Sequence, residues 1–278
     1  MTLSHALVTA PGSTPEKWLY FLHGILGSGA NWRSFARQIV SAEPSWGAVL
    51  VDLRLHGDSL EGFSPPHTVS AAADDVAQLM DRIAAPTATL AVLGHSFGGK
   101  VAIEVARLAR EKALTHLFVV DSTPSARPDH RGSAGTTHIV ELLRELPDDF
   151  VDRSAFTTWM EERGVSRPIA MWLAMNVRPV PLTTRFVFRI DVAGVRAMLN
   201  DYFERDSWDV IEQPRSPMQV HFAIGAASDV VDDADRMRAR NCPQATVDVI
   251  AGAGHWVHVD APGVLRDVVL TKLGPLSI

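Results

Sequence analysis

Ser96 stands in Gly94-His95-Ser96-Phe97-Gly98, and its neighbours decide whether its hydroxyl could act as a nucleophile. The apolar run Ala88 to Leu93 has the length and composition of a strand, and Val101-Ala102-Ile103-Glu104-Val105-Ala106 resumes at helical spacing just beyond. Strand, sharp turn and helix is the context in which Gly-x-Ser-x-Gly lifts a serine into a cleft. The flanking glycines permit such a turn because side chains there would collide with the neighbouring strand and helix. By itself the pentapeptide is equally compatible with an ordinary glycine turn in a βα unit.

A serine hydroxyl needs a base within hydrogen-bond reach and a third group to orient that base. His255, in Ala253-Gly254-His255-Trp256, follows the strand-like run Ala245 to Ile250 and is the candidate base. Two carboxylates could orient it. Asp121 ends the apolar run Leu117 to Val120, and Asp229 follows the run Met218 to Ile224; either could otherwise serve as a turn cap. An oxyanion would be held by the N–H of Phe97 and by an N–H of the loop His23 to Gly29, with Ile25 the first choice and Leu26 the second. The other histidines have structural expectations: His95 packs, His258 sits near the cleft, and His56 with Asp58 braces a loop. No His-Glu-x-x-His or similar spacing suggests a metal, and the glycine loop at 24–29 lacks the P-loop and dinucleotide spacings, so no cofactor is expected.

Those residues must be carried by strands meeting at one edge. Lys17 to Leu22, Gly47 to Asp52, the elbow strand, Leu117 to Val120, Met218 to Ile224 and Ala245 to Ile250 read as strands, with helical patterns between them. That alternation predicts a mostly parallel sheet covered by helices, with ligands bound at the carboxyl ends of the strands. Asn31 is the expected N-cap of the helix through Trp32, Phe35, Ile39 and Val40. From Ser125 to Pro214 helical spacing dominates, apart from the alternating Arg185 to Ile190, so 125–214 reads as a helical cap inserted into a core of 1–124 and 215–278. Phe156, Trp159, Met160, Met171, Trp172 and Met175 in that segment could line an apolar acyl pocket or form the segment's own core.

Composition narrows the partners. The 278 residues, 46% hydrophobic and 21% charged, suffice for one large core. A net charge of -6 with no cluster of Lys and Arg among aromatics argues against nucleic acid and leaves a small molecule as the expected partner. Cys242 is the only cysteine, so no intrachain disulfide forms. No run reaches the length of a membrane span and no signal pattern opens the chain, which makes the cytoplasm the expected location.

Four segments taken together, Leu22 to Ser28, Asp52 to Ser59, Gly94 to Lys100 and Ala253 to His258, resemble the α/β-hydrolase superfamily. Within it they are similar to the group that holds abhydrolase-domain-containing protein 11 and the YbfF-type esterases. The resemblance implies an α/β-hydrolase fold and a serine carboxylesterase or thioesterase acting on short to medium acyl chains. It also favours Asp121 as the acid, because in that group the carboxylate follows the strand after the nucleophile. Ser228 holds the usual superfamily acid position here, and Asp229 lies one residue later. Other uses of the same constellation stay open: C–C bond hydrolysis, lactone hydrolysis, haloperoxidase-like or acyltransferase chemistry, or a ligand receptor on the same fold.

Overall fold

The computed structural model describes residues 2–108, 114–214 and 217–274; the other positions of the expected spans 1–124 and 215–278 lie outside the described residues. The strands are β1 (His5–Val8), β2 (Lys17–Leu22), β3 (Trp46–Val51), β4 (Thr89–His95), β5 (Leu114–Val120), β6 (Val177–Pro179), β7 (Phe186–Phe188), β8 (Gln219–Gly225) and β9 (Ala245–Ile250). The helices are α1 (Arg33–Ala42), α2 (Val69–Ile83), α3 (Phe97–Leu108), α4 (Ala134–Leu143), α5 (Arg153–Glu161), α6 (Arg167–Leu173), α7 (Val192–Glu204), α8 (Trp208–Glu212), α9 (Asp233–Arg240), α10 (Val257–Asp260) and α11 (Pro262–Leu273).

Seven strands form one sheet in the order β1-β3-β2-β4-β5-β8-β9. All pair in parallel except β1, which runs antiparallel to β3 along the edge. This is the α/β-hydrolase fold. Period-two alternation sends neighbouring residues of β2 to opposite faces. Leu19 and Phe21 join Phe35 and Ile39 of α1 and Leu265 and Val269 of α11, whereas Tyr20 and Leu22 join Val76 of α2 and Val101 of α3. A sheet buried on both faces needs apolar residues at every position, which is why β3 is buried throughout and reads as a continuous hydrophobic run.

Two local expectations are corrected. Asn31 does not cap α1: a 3-10 turn over Gly29–Trp32 precedes the helix, Ser28 caps that turn, and the Ser28 N–H donates to Asn31 Oδ1 at 2.8 Å. The alternating stretch Arg185 to Ile190, which by its pattern reads as an isolated strand or extended arm, is not isolated either, because β7 pairs antiparallel with the three-residue β6.

The excursion between β5 and β8 carries α4 to α8 and that hairpin. It leaves and returns through a narrow neck: Ser207 N–H donates to Pro124 C=O at 2.9 Å and Arg127 N–H to Phe203 C=O at 2.6 Å. Lys100 of α3, fully buried, fastens this neck to the core. Its ammonium donates to the carbonyls of Ser125, Tyr202 and Arg205 at 2.9, 2.7 and 2.9 Å. Burial, with a smaller push from the Arg127 charge, lowers its pKa to about 7. Arg127 is itself held by Asp235 of α9, and Asp201 of α7 accepts from Val69 N–H at 2.8 Å. No described helix is long and apolar enough to cross a membrane.

Candidate active site

Ser96 sits between the end of β4 and the first turn of α3 with φ +55, in the left-handed region that non-glycine residues rarely enter. Such a residue costs about 1–3 kcal/mol and persists only where its surroundings overdetermine it. They do so here. Ser96 N–H donates to Val120 C=O at 3.0 Å and its own carbonyl accepts from Gly99 N–H at 2.8 Å. A Cβ at Gly94 would run into the Gly98 carbonyl, and one at Gly98 into the carbonyls of His23 and Leu22, so only glycine fits the two flanking positions.

The imidazole of His255 bridges two partners. Nε2 lies 3.0 Å from Ser96 Oγ and Nδ1 lies 2.7 Å from Asp121 Oδ2. Asp121 is fully buried, just past β5, and has φ +43. Its Oδ1 accepts from Gly225 N–H at 3.0 Å, and its Oδ2 also accepts from Ser228 Oγ at 2.5 Å. A buried carboxylate with three donors has a fixed direction. Ser228, which stands at the usual superfamily acid position, is therefore a hydrogen-bond partner of Asp121. Asp229, the other candidate, is exposed on the same loop, and the structure does not bring it to His255.

The glycine loop after β2 rests on two neutral histidines. His23 donates from Nδ1 to Gly24 C=O at 2.8 Å and accepts at Nε2 from Leu53 N–H at 3.1 Å. His56 donates from Nδ1 to Arg54 C=O at 2.8 Å and accepts at Nε2 from Leu26 N–H at 3.0 Å. An imidazole that accepts at one nitrogen cannot be protonated there. Burial accordingly lowers the pKa of His23 to about 4 and that of His56 to about 3. The N–H of Leu26, the second choice for an oxyanion donor, is thus already engaged by His56. The N–H groups of Ile25 and Phe97, by contrast, have no acceptor among the described residues.

Ser96 and His255 open onto a cavity of about 240 Å³. Its apolar wall is formed by Ile25, Trp32, Ile139, Ile169, Trp172 and Trp256. Trp172 of α6 and Trp256 meet edge to face, with ring centroids 4.9 Å apart. Of the six apolar residues singled out in the excursion, Trp172 alone borders this cavity: Phe156 and Met160 are buried in the hydrophobic core, Trp159 packs against it, and Met171 and Met175 are exposed. His95 donates from Nε2 to His255 C=O at 2.8 Å, steadying the loop that carries His255. His258 packs against Trp32 with the rings tilted and their centroids 4.6 Å apart, and burial lowers its pKa to about 4.

The family model for alpha/beta hydrolases matches residues 19–268. The chain belongs to that family. This hydrolase is 28% identical to the mouse protein named sn-1-specific diacylglycerol lipase ABHD11, over 98% of this chain and 85% of that one. It is 27% identical to esterase YbfF of Escherichia coli, over 96% and 98% of the two chains. Among solved structures it superposes on one described as a marine microorganism esterase with TM-score 0.82 and 22% identity, covering 98% of this chain and 99% of the other. The hydrolase is thus a carboxylesterase-like member of its family.

Proposed function

We propose that this hydrolase cleaves carboxylic ester or thioester bonds of small apolar acyl substrates through a covalent acyl-enzyme. The observation that carries the reading is the double reach of His255, 3.0 Å to Ser96 Oγ and 2.7 Å to Asp121 Oδ2. Ser96 Oγ attacks the acyl carbon while His255 Nε2 takes its proton. The negative charge gathering on the former carbonyl oxygen is met by the N–H groups of Ile25 and Phe97, each worth on the order of 3 kcal/mol to the transition state. Asp121 keeps the Nδ1–H tautomer in place and stabilises the imidazolium. The leaving alcohol or thiol takes the proton back, and a water activated by the same imidazole releases the acid.

Residues 125–214 act as the cap in this reading, with Ile139, Ile169 and Trp172 closing the acyl side of a cavity that excludes water. A volume of about 240 Å³ suits a short to medium acyl group. The test is hydrolysis of p-nitrophenyl esters together with labelling by a fluorophosphonate. Wild-type protein should turn over and label, and Ser96→Ala should do neither. A wild-type protein that neither labels nor hydrolyses any ester or thioester of two to ten carbons would sink the reading.

A further inference from the structure

The loop between β2 and the 3-10 turn has one residue, Leu26, whose backbone is left-handed, with φ +65. A leucine does not hold that conformation unaided, because its Cβ crowds the backbone. Both peptide groups that meet at Leu26 are tied down. Its N–H is taken by His56 Nε2 at 3.0 Å, from the core. Its C=O accepts from Asn176 Nδ2 at 3.0 Å, and Asn176 belongs to the excursion between β5 and β8. Asn176 is placed for this by its surroundings: it ends the turn after α6, and its own carbonyl accepts from Arg189 N–H at 3.1 Å, beside the β6–β7 hairpin.

We propose that Asn176 is a positioning residue for the oxyanion donor Ile25, so that the loop is competent only while the excursion is seated on the core. This rests on the reading of Ile25 as an oxyanion donor. The loop is a short closed unit in which Gly27 N–H donates to Gly24 C=O at 3.0 Å. The Gly24 carbonyl and the Ile25 N–H belong to one rigid peptide plane. Rotation at Leu26 would pull Gly27 from Gly24 and so release the plane that carries the Ile25 N–H. Of the hydrogen bonds that prevent this among the described residues, those to His56, His23 and Gly24 lie within the core, and Asn176 supplies the one from outside it. A substrate-covering segment that lifts therefore loosens the oxyanion loop in the same movement, and a segment that closes completes it.

Asn176→Ala and the isosteric Asn176→Asp, which cannot donate an amide hydrogen, test the assignment against p-nitrophenyl acetate and p-nitrophenyl octanoate. Loss of one neutral hydrogen bond and the order it imposes should lower kcat about tenfold for both esters, with KM within about twofold. The amide hydrogens of Leu26 and Gly27 should exchange faster in both variants, a readout that needs no turnover. Asn176→Gln, which retains the donor on a longer arm, should recover part of the rate and of the protection. If the variants raise KM in a chain-length-dependent way at unchanged kcat, Asn176 is a pocket residue and the proposal is wrong. Unchanged exchange at Leu26 and Gly27 would overturn it equally. A wild-type protein with no Ser96-dependent activity would instead remove the esterase reading on which it rests, whatever the exchange data say.

Discussion

At the scale of single residues, the assignment of the acid turns on where two loops end. Asp121 is enclosed by His255, Gly225 and Ser228, whereas Asp229 faces solvent one residue beyond the partner serine. Asp121→Asn should keep the fold and lower kcat for p-nitrophenyl acetate by about a thousandfold or more, because the amide favours the wrong imidazole tautomer. Asp229→Asn should leave kcat within about twofold, and the reverse pattern would refute the assignment. That Ser96 and His255 come together was legible in the sequence because their signals are local: a glycine-framed turn after a strand, and a histidine after the last strand. The residues alone left two aspartates open and only the resemblance favoured Asp121, since the choice depends on the pairing of β5 with β8, which sets Val120 opposite Ala223 across the whole excursion. No local pattern encodes that register.

At the scale of elements, the loop after β2 is held by imidazoles that function only when neutral. His23 and His56 have folded-state values near 4 and 3, against 6.5 for the free side chain. Their contribution to stability is present in full above the unfolded value and is lost as the pH falls from about 6.5 towards 4, because the unfolded chain then binds protons that the folded one refuses. Each histidine removes about 1.4 kcal/mol per pH unit within that window. Urea midpoints measured between pH 7 and pH 4.5 should therefore fall steeply, and His56→Gln, whose side-chain carbonyl can still accept from Leu26, should flatten the slope. A midpoint insensitive to pH in the parent would show that these side chains are not held neutral. The sequence marked the glycine loop and the brace at His56 and put Ile25 ahead of Leu26; in the structure the Leu26 N–H is engaged by His56, while the Ile25 N–H has no acceptor among the described residues. It likewise offered Asn31 as a helix cap because Asn is favoured there, when its carboxamide instead closes a preceding turn around Ser28.

At the scale of the molecule, a mostly parallel sheet with helices on both faces followed from the alternation of strands and helices, and the family resemblance implied the α/β-hydrolase fold; the strand order itself came from the structure. What escaped was short or at an edge. The strand β1 has only four residues, His5 to Val8, and pairs with β3 alone. The pair β6 and β7 is three residues long on each side. The cavity lies where the loop after β2, the turn at Ser96, the excursion and the loop after β9 converge, so helical spacing in the excursion could not tell its lining from its core. Trp172 is the largest side chain that the excursion contributes to that lining. Trp172→Ala should shift the ratio of kcat/KM for decanoyl over butyryl esters about tenfold towards the longer chain, since vacated space accepts methylenes worth about 0.8 kcal/mol each. An unchanged ratio would place the acyl chain elsewhere.

The neck at Pro124 and Ser207 has an evolutionary consequence. A stretch of polypeptide that departs and comes back at one doorway can be traded for another of different length without shifting any strand, so the covering of the cavity can change while Ser96, His255 and Asp121 stay as they are. The trade has two conditions. An incoming module must give Lys100 carbonyls to replace those it loses, or the lysine must become apolar, and it must bring its own amide for Leu26. Swapped lids that satisfy the first condition alone would yield well-folded but sluggish chimeras.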